Sequence, residues 1–144
     1  MADTGGIVGQ IARIREKANA LIERELRNRG IKGIVPAHGP VLAFLLQQNR
    51  PVPIRAVVES VRRVKSTVTV TVSTLERHGY LRKSPSETDA RVVYVELTSK
   101  GRGLHEDFEE ISRALRSKLY GDLSESARAQ LVRQLDKIEK NLSE

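Results

Sequence analysis

Residues 65–81 read Lys65-Ser66-Thr67-Val68-Thr69-Val70-Thr71-Val72-Ser73-Thr74-Leu75-Glu76-Arg77-His78-Gly79-Tyr80-Leu81, and two readings of them compete. Val68, Val70 and Val72 alternate with Thr69, Thr71 and Ser73. That is the period of a strand, and β-branched residues favour strands. Val64, Val68, Val72 and Leu75 instead stand four, four and three apart, as one stripe of a helix does. Length and flanks decide for the helix: Ser66 is placed to cap its start, and Gly79 stands where a helix end takes a left-handed residue. The four apolar residues then form its core face. Ser66, Thr67, Thr69, Val70, Ser73, Thr74 and Arg77 are turned away from it.

Upstream, Ile54, Val57, Val58 and Val61 repeat at three and four and predict a short helix of about two turns, left through residues 62–65. It follows a break at Asn49, Arg50, Pro51 and Pro53. Before the break, a largely buried helix over 37–48 carries Val41, Leu42, Phe44, Leu45 and Leu46, with Pro40 tolerated in its first turn. A first helix presents Ile7, Ile11, Ile14, Ala18, Leu21, Ile22 and Leu26 on one face and stops at Gly30 and Gly33.

Downstream, two β-prone runs, 81–84 and 92–97, flank the polar tip Pro85-Ser86-Glu87-Thr88-Asp89-Ala90 and predict a hairpin. Tyr80 is expected to pack beneath it. Thr98 is placed to cap one long helix bearing Leu104, Phe108, Ile111, Leu115 and Leu119. Residues 121–124 break that helix ahead of a last one with Ala127, Leu131, Leu135, Ile138 and Leu142.

The 144 residues suffice for one domain without staples, burying roughly 70 % of the unfolded chain's surface. Cysteine is absent, which excludes disulfides, thiolate zinc sites and cysteine redox switches. No apolar run reaches the ~20 residues of a membrane span, and the first residues lack the pattern of a signal peptide. The expected location is cytoplasmic. Two Phe, three Tyr and no Trp are too few for a platform that stacks single-stranded bases. The net charge of +7 is concentrated: residues 50–102 hold eleven Lys and Arg against five Asp and Glu, whereas residues 103–144 hold seven against nine. A basic centre between nearly balanced flanks marks a surface for a polyanion.

A short helix, a tight turn, a second helix and a hairpin, all inside the basic stretch, is the order of a winged helix-turn-helix. The second helix is slim enough for the DNA major groove, and its small polar side chains let the backbone approach the base edges. Arg55, Arg62, Arg63, Arg82 and Lys83 are candidates for phosphate contact, against the plainer reading of a solvated rim. The expected fold is mainly α with a small β-hairpin wing (α+β), in a single domain over 1–144. A winged helix-turn-helix lobe occupies 36–100, and helices over 5–30 and 101–144 flank it. Their three amphipathic stripes exceed what so small a domain must cover, and predict a homodimer.

Four blocks also resemble the multiple-antibiotic-resistance regulator (MarR) family: Lys65-Ser66-Thr67-Val68-Thr69, Leu75-Glu76-Arg77-His78-Gly79-Tyr80-Leu81, Asp89-Ala90-Arg91 and Leu97-Thr98-Ser99-Lys100-Gly101. The resemblance implies a dimeric transcriptional regulator of double-stranded DNA, read here as a repressor on a pseudo-palindromic operator. A small-molecule effector, often phenolic or anionic in that family, would bind between the two lobes. It implies a wing pair in which Arg91 enters the minor groove and Asp89 holds the wing, and base or phosphate contacts from Ser66, Thr67 and Thr69. With the residues read directly, the candidate DNA-binding set is Arg55, Lys65, Ser66, Thr67, Thr69, Val70, Ser73, Thr74, Arg77, Arg82, Lys83, Asp89 and Arg91. Two positions depart from the family pattern. Val70 stands where a basic residue is common, and Thr71 where a larger aliphatic is usual; Val70 can meet a thymine methyl.

Enzyme readings are weak, because no phosphate loop or nucleophile elbow is present. No catalytic residue, cofactor or metal ligand is assigned. His105 with Glu106 and Glu109 on one helix, and His38 at the start of another, have the residue types of a zinc site, but read first as surface polar groups. The alternatives to a DNA-binding regulator are a winged-helix module for protein or RNA, and a metal-sensing regulator.

Overall fold

The computed structural model describes residues 4–143. Helix α1 (Ile7–Asn28) leads through a loop and a 3-10 turn (Pro36–His38) into α2 (Gly39–Gln48). Strand β1 (Val52–Pro53), α3 (Ile54–Val61), α4 (Lys65–Arg77), β2 (Leu81–Pro85) and β3 (Val93–Leu97) follow. A single turn, α5 (Ser99–Arg102), then precedes α6 (His105–Tyr120) and α7 (Glu125–Leu142). The three strands form an antiparallel sheet in the order β1-β3-β2.

The stretch 65–81 is helical up to Arg77, and burial shows which period won. A strand would have put Val68, Val70 and Val72 on one face. Instead Val68 and Val72 are buried at 1 % and 0 % exposure, while Val70 is 66 % exposed. Leu75 completes the inner stripe, and Gly79 leaves the helix with φ +82 as expected.

Two details of that helix correct the expectation. Ser66 is not the cap: α4 begins at Lys65, and its N-cap is Val64 in extended backbone with no side-chain oxygen to offer. For the same reason Val64 is not in the core. It precedes the helix, so the four-residue spacing does not carry it onto the buried stripe, and it stays 67 % exposed.

The hairpin forms in register, Leu81 opposite Leu97 and Lys83 opposite Val95, and gains a third strand that periodicity does not reveal. The Pro-rich break contributes Val52 opposite Val95 and Pro53 opposite Tyr94. Proline is tolerated there because β1 lies at the sheet edge. Thr98 does cap a helix, its Oγ1 accepting the Gly101 N–H at 3.2 Å, but the helix is a single turn and α6 starts anew at His105. Gly101 is needed for close approach: a Cβ there would stand 2.1 Å from the Tyr80 carbonyl oxygen. Helix α2, expected from residue 37, begins at Gly39 because Pro36–His38 close as a 3-10 turn.

One core joins these elements: Leu42 and Leu45 from α2, Val57 from α3, Val68, Val72 and Leu75 from α4, Leu81 and Val95 from the sheet, with Leu26, Leu104 and Ile111 reaching in from the chain's two ends. Each fully buried Val or Leu stabilises by about 1.5–3 kcal/mol relative to its exposed state. Tyr80 is buried beneath the wing, its hydroxyl donating to the Lys32 carbonyl.

Candidate nucleic-acid interface

A three-residue turn, 62–64, joins α3 to α4 and is reversed by Arg62, whose φ of 56° closes α3 through its own N–H to the Val58 carbonyl. With Val68, Val72 and Leu75 facing the core, the opposite ridge of α4 falls on Ser66, Val70, Ser73 and Arg77, spaced four, three and four. Lys65, Ser66, Thr67, Thr69, Val70 and Arg77 are exposed, and Ser73 and Thr74 are half-buried. Arg55 is exposed on α3.

Three of the candidate hydroxyls already have partners. Thr69 Oγ1 donates to the Lys65 carbonyl at 2.9 Å, one turn back along the helix. Ser73 Oγ accepts from Lys83 Nζ at 3.3 Å, and Thr74 Oγ1 accepts from Arg77 Nη2 at 3.3 Å. Lys83 is held from two sides: its backbone N–H donates to Glu76 Oε2 at 3.1 Å, and its ammonium lies 3.5 Å from Glu76 Oε1. Glu76 therefore ties the first strand of the wing to the helix beside it. Its seven-residue separation from Lys83 matches no helix or hairpin neighbour rule, so periodicity passes over it.

The wing tip presents Arg91, whose side chain is 90 % exposed. Asp89 holds it: Oδ1 accepts from the Arg91 N–H at 3.0 Å and from Nε at 3.1 Å, and Oδ2 from Nη2 at 3.2 Å. The guanidinium and that N–H keep the Asp89 carboxyl below its ordinary pKa. Ser86 Oγ accepts the N–H groups of Thr88 and Asp89, closing the tip as a polar turn. Arg82 pairs across the hairpin with Glu96 at 2.9 Å and stays largely exposed, so this pair contributes about 0–1 kcal/mol. Behind the wing, Lys100 donates to the His78 carbonyl at 2.8 Å and lies over the Tyr80 ring, bracing the end of α4.

Away from this surface, a cleft of about 590 Å³ opens among α1, α2 and α6. Ile22, Leu26, Phe108 and Leu115 give it apolar walls, and Arg113 and Arg116 border it. Arg29, at the end of α1, ties that helix to α6 through Asp107 at 3.0 Å and Glu110 at 2.6 Å. The terminal helices keep their stripes open: Ile7, Ile11 and Ile14 on α1 and Leu131, Leu135 and Ile138 on α7 are all 38–49 % exposed, and α7 buries none of its residues.

Among the described residues the histidines do not come together with enough carboxylates to hold a metal, and no group of three or more metal-binding side chains occurs. His105 pairs with Glu109 one turn along, at 3.3 Å. His38 Nδ1 is used as the acceptor of the Val35 N–H at 3.2 Å. No described helix is long and apolar enough to cross a membrane.

Residues 38–101 match the winged helix DNA-binding domain family. No curated protein matches the chain. Among solved structures, the chain is similar to MepR of Staphylococcus aureus in its DNA complex, at 21 % identity and a TM-score of 0.79, over 98 % of this chain and 99 % of that one. It is similar to FabT of Streptococcus pneumoniae, also solved with DNA, at 27 % identity and a TM-score of 0.69, over 98 % of both chains. It is likewise similar to BpsR of Bordetella bronchiseptica, whose DNA binding is regulated by 6-hydroxynicotinic acid, at 22 % identity and a TM-score of 0.74, over 92 % of this chain and 98 % of that one.

Proposed function

We propose that this chain, whose residues 38–101 match the winged helix DNA-binding domain family and which has the fold of the MarR-family regulators, represses transcription by binding a pseudo-palindromic operator as a homodimer. The observation that carries the proposal is the division of α4 into a face sunk in the core and a face left open. The open face lies beside a wing whose Arg91 is almost fully exposed.

In this reading α4 enters the major groove with Ser66, Thr67 and Val70 toward the bases, and Thr69, Ser73 and Thr74 at its margins. Lys65, Arg55, Arg77, Arg82 and Lys83 meet phosphates, positioning the helix without reading sequence. Arg91 reaches the minor groove, where a narrow groove's enhanced negative potential favours a long cation. Asp89 fixes its direction of approach. The open stripes of α1 and α7, with Leu119 at the end of α6, meet a second copy, so that two recognition helices face half-sites centred ~10 base pairs apart or a multiple of that.

The cleft among α1, α2 and α6 is the place for a small effector. It lies against Leu26 and Ile111, which belong to the same core as α4, so an occupant bears on the placement of the recognition helix. The protein works in the cytoplasm on this reading, and it is not an enzyme.

Retardation of a palindromic duplex across a salt series tests the proposal. If each subunit neutralises roughly four phosphates, log affinity falls with log salt at a slope of about −7, and fourfold more salt weakens binding ~10⁴-fold. A slope shallower than about −3 removes the basic centre as the docking surface.

A further inference from the structure

The open ridge of α4 is unusual in what it lacks. The side chains that read purines and cytosine by paired hydrogen bonds are Arg or Lys for guanine, Asn or Gln for adenine, and Asp or Glu for cytosine. Between Lys65 and Arg77 the helix has none of these except Glu76, which is occupied by Lys83. Arg77 itself donates back to Thr74, and the hydroxyls of Thr69, Ser73 and Thr74 are engaged within the chain. At the centre of the ridge stands Val70, 66 % exposed, between Ser66 one turn before and Ser73 one turn after.

A single exposed valine needs no explanation on an ordinary surface. On a face offered to the major groove it has one chemical counterpart, because the 5-methyl of thymine is the apolar group that bases present there. Resting on the reading of α4 as a major-groove helix, we infer that Val70 is a specificity-determining residue that selects a thymine in each half-site by contact with its 5-methyl group. Ser66 and Thr67, whose hydroxyls have no partner among the described residues, supply the hydrogen bonds on either side of that contact. The valine rejects cytosine at the same place because it offers no acceptor for the exocyclic amine and leaves the position of the methyl empty.

Uracil differs from thymine only in lacking that methyl, which makes the inference directly testable with the full chain. A duplex is first selected from a random palindromic library. Each thymine pair related by the dyad is then replaced by deoxyuridine, and binding is measured at one fixed salt concentration. Removing one buried methyl contact per half-site corresponds to about fourfold each, or roughly fifteenfold for the symmetric pair. One thymine pair should show that loss, and Val70→Ala should abolish it, binding thymine and uracil duplexes equally at that position while keeping the parent's melting temperature. Insensitivity at every thymine, or a thymine preference that persists in Val70→Ala, overturns the inference. If no duplex is enriched over random sequence, the DNA-binding reading fails and the inference falls with it. Enrichment with the expected salt slope but no uracil effect defeats the inference alone.

Discussion

The lobe built from α2 to α5 and the outermost helices, the first half of α1 and all of α7, use similar apolar stripes and bury them to opposite extents. Val57, Val68, Val72, Leu75, Leu81 and Val95 are at most 1 % exposed, closed over by helices and sheet of the same chain. Leu131, Leu135 and Ile138 on α7 repeat at the same helical spacing and are 38–42 % exposed. Periodicity therefore tells which residues of a helix seek cover, and not whether the cover comes from its own chain. The compact lobe is complete in one copy; the stripes of α1 and α7 are left open in one copy, and under the proposed function a second copy covers them.

That contrast breaks first at α7. Leu135→Glu combined with Ile138→Glu places two charges on the open stripe that the proposed dimer buries between copies. The variant should run as a monomer in light scattering, with operator affinity reduced ~10²–10⁴-fold because the second half-site is no longer engaged from within one complex. A dimer of undiminished affinity places the interface elsewhere.

Within the compact lobe the complementary change is Leu75→Ala, at a side chain with no exposure. It should cost about 2–5 kcal/mol of unfolding free energy in urea titration, as a cavity in a closed core does. The stripes of the terminal helices should still pair the folded molecules. A cost below ~1 kcal/mol contradicts the closed core around α4.

A third change leaves both cores alone. Arg91→Ala removes a side chain held, among the described residues, only by Asp89, and should weaken operator binding by about 1–3 kcal/mol with an unchanged melting temperature. If operator and scrambled duplexes are bound as by the parent, the wing tip does not enter the groove.

The smallest expected effect lies in the segment that joins the two regions. Burial and the neighbouring His78 imidazole lower the pKa of His38 below its ordinary value, and its neutral Nδ1 accepts the Val35 N–H. Below pH about 6.5 the unfolded chain takes up a proton there before the folded chain does, so stability falls with pH until the lowered folded pKa is passed. Melting temperatures between pH 7.5 and 5.5 should decline less for His38→Gln than for the parent. Equal declines assign the pH response to other groups.

The phase of α4 was legible because two periods made incompatible demands on Val68, Val70 and Val72, and the flanks favoured one of them. The hairpin was legible from a polar tip between β-prone runs. Strand β1 was not, since a two-residue strand has no period and Pro53 reads locally as a break. Val64 misled for a related reason: spacing extends past the true end of a helix, and burial does not.

By itself, then, the sequence determined the helices, the wing, the basic centre and the faces that must be covered, all of which follow from residue order within one element. Only the tertiary structure decided which polar groups of the open face are free. The Glu76–Lys83–Ser73 brace, the Thr74–Arg77 pair and the junction of Arg29 with Asp107 and Glu110 depend on how backbones are placed relative to one another. Hydrogen bonds require atoms within about 3 Å, and a pattern along the chain locates a side chain only to a face.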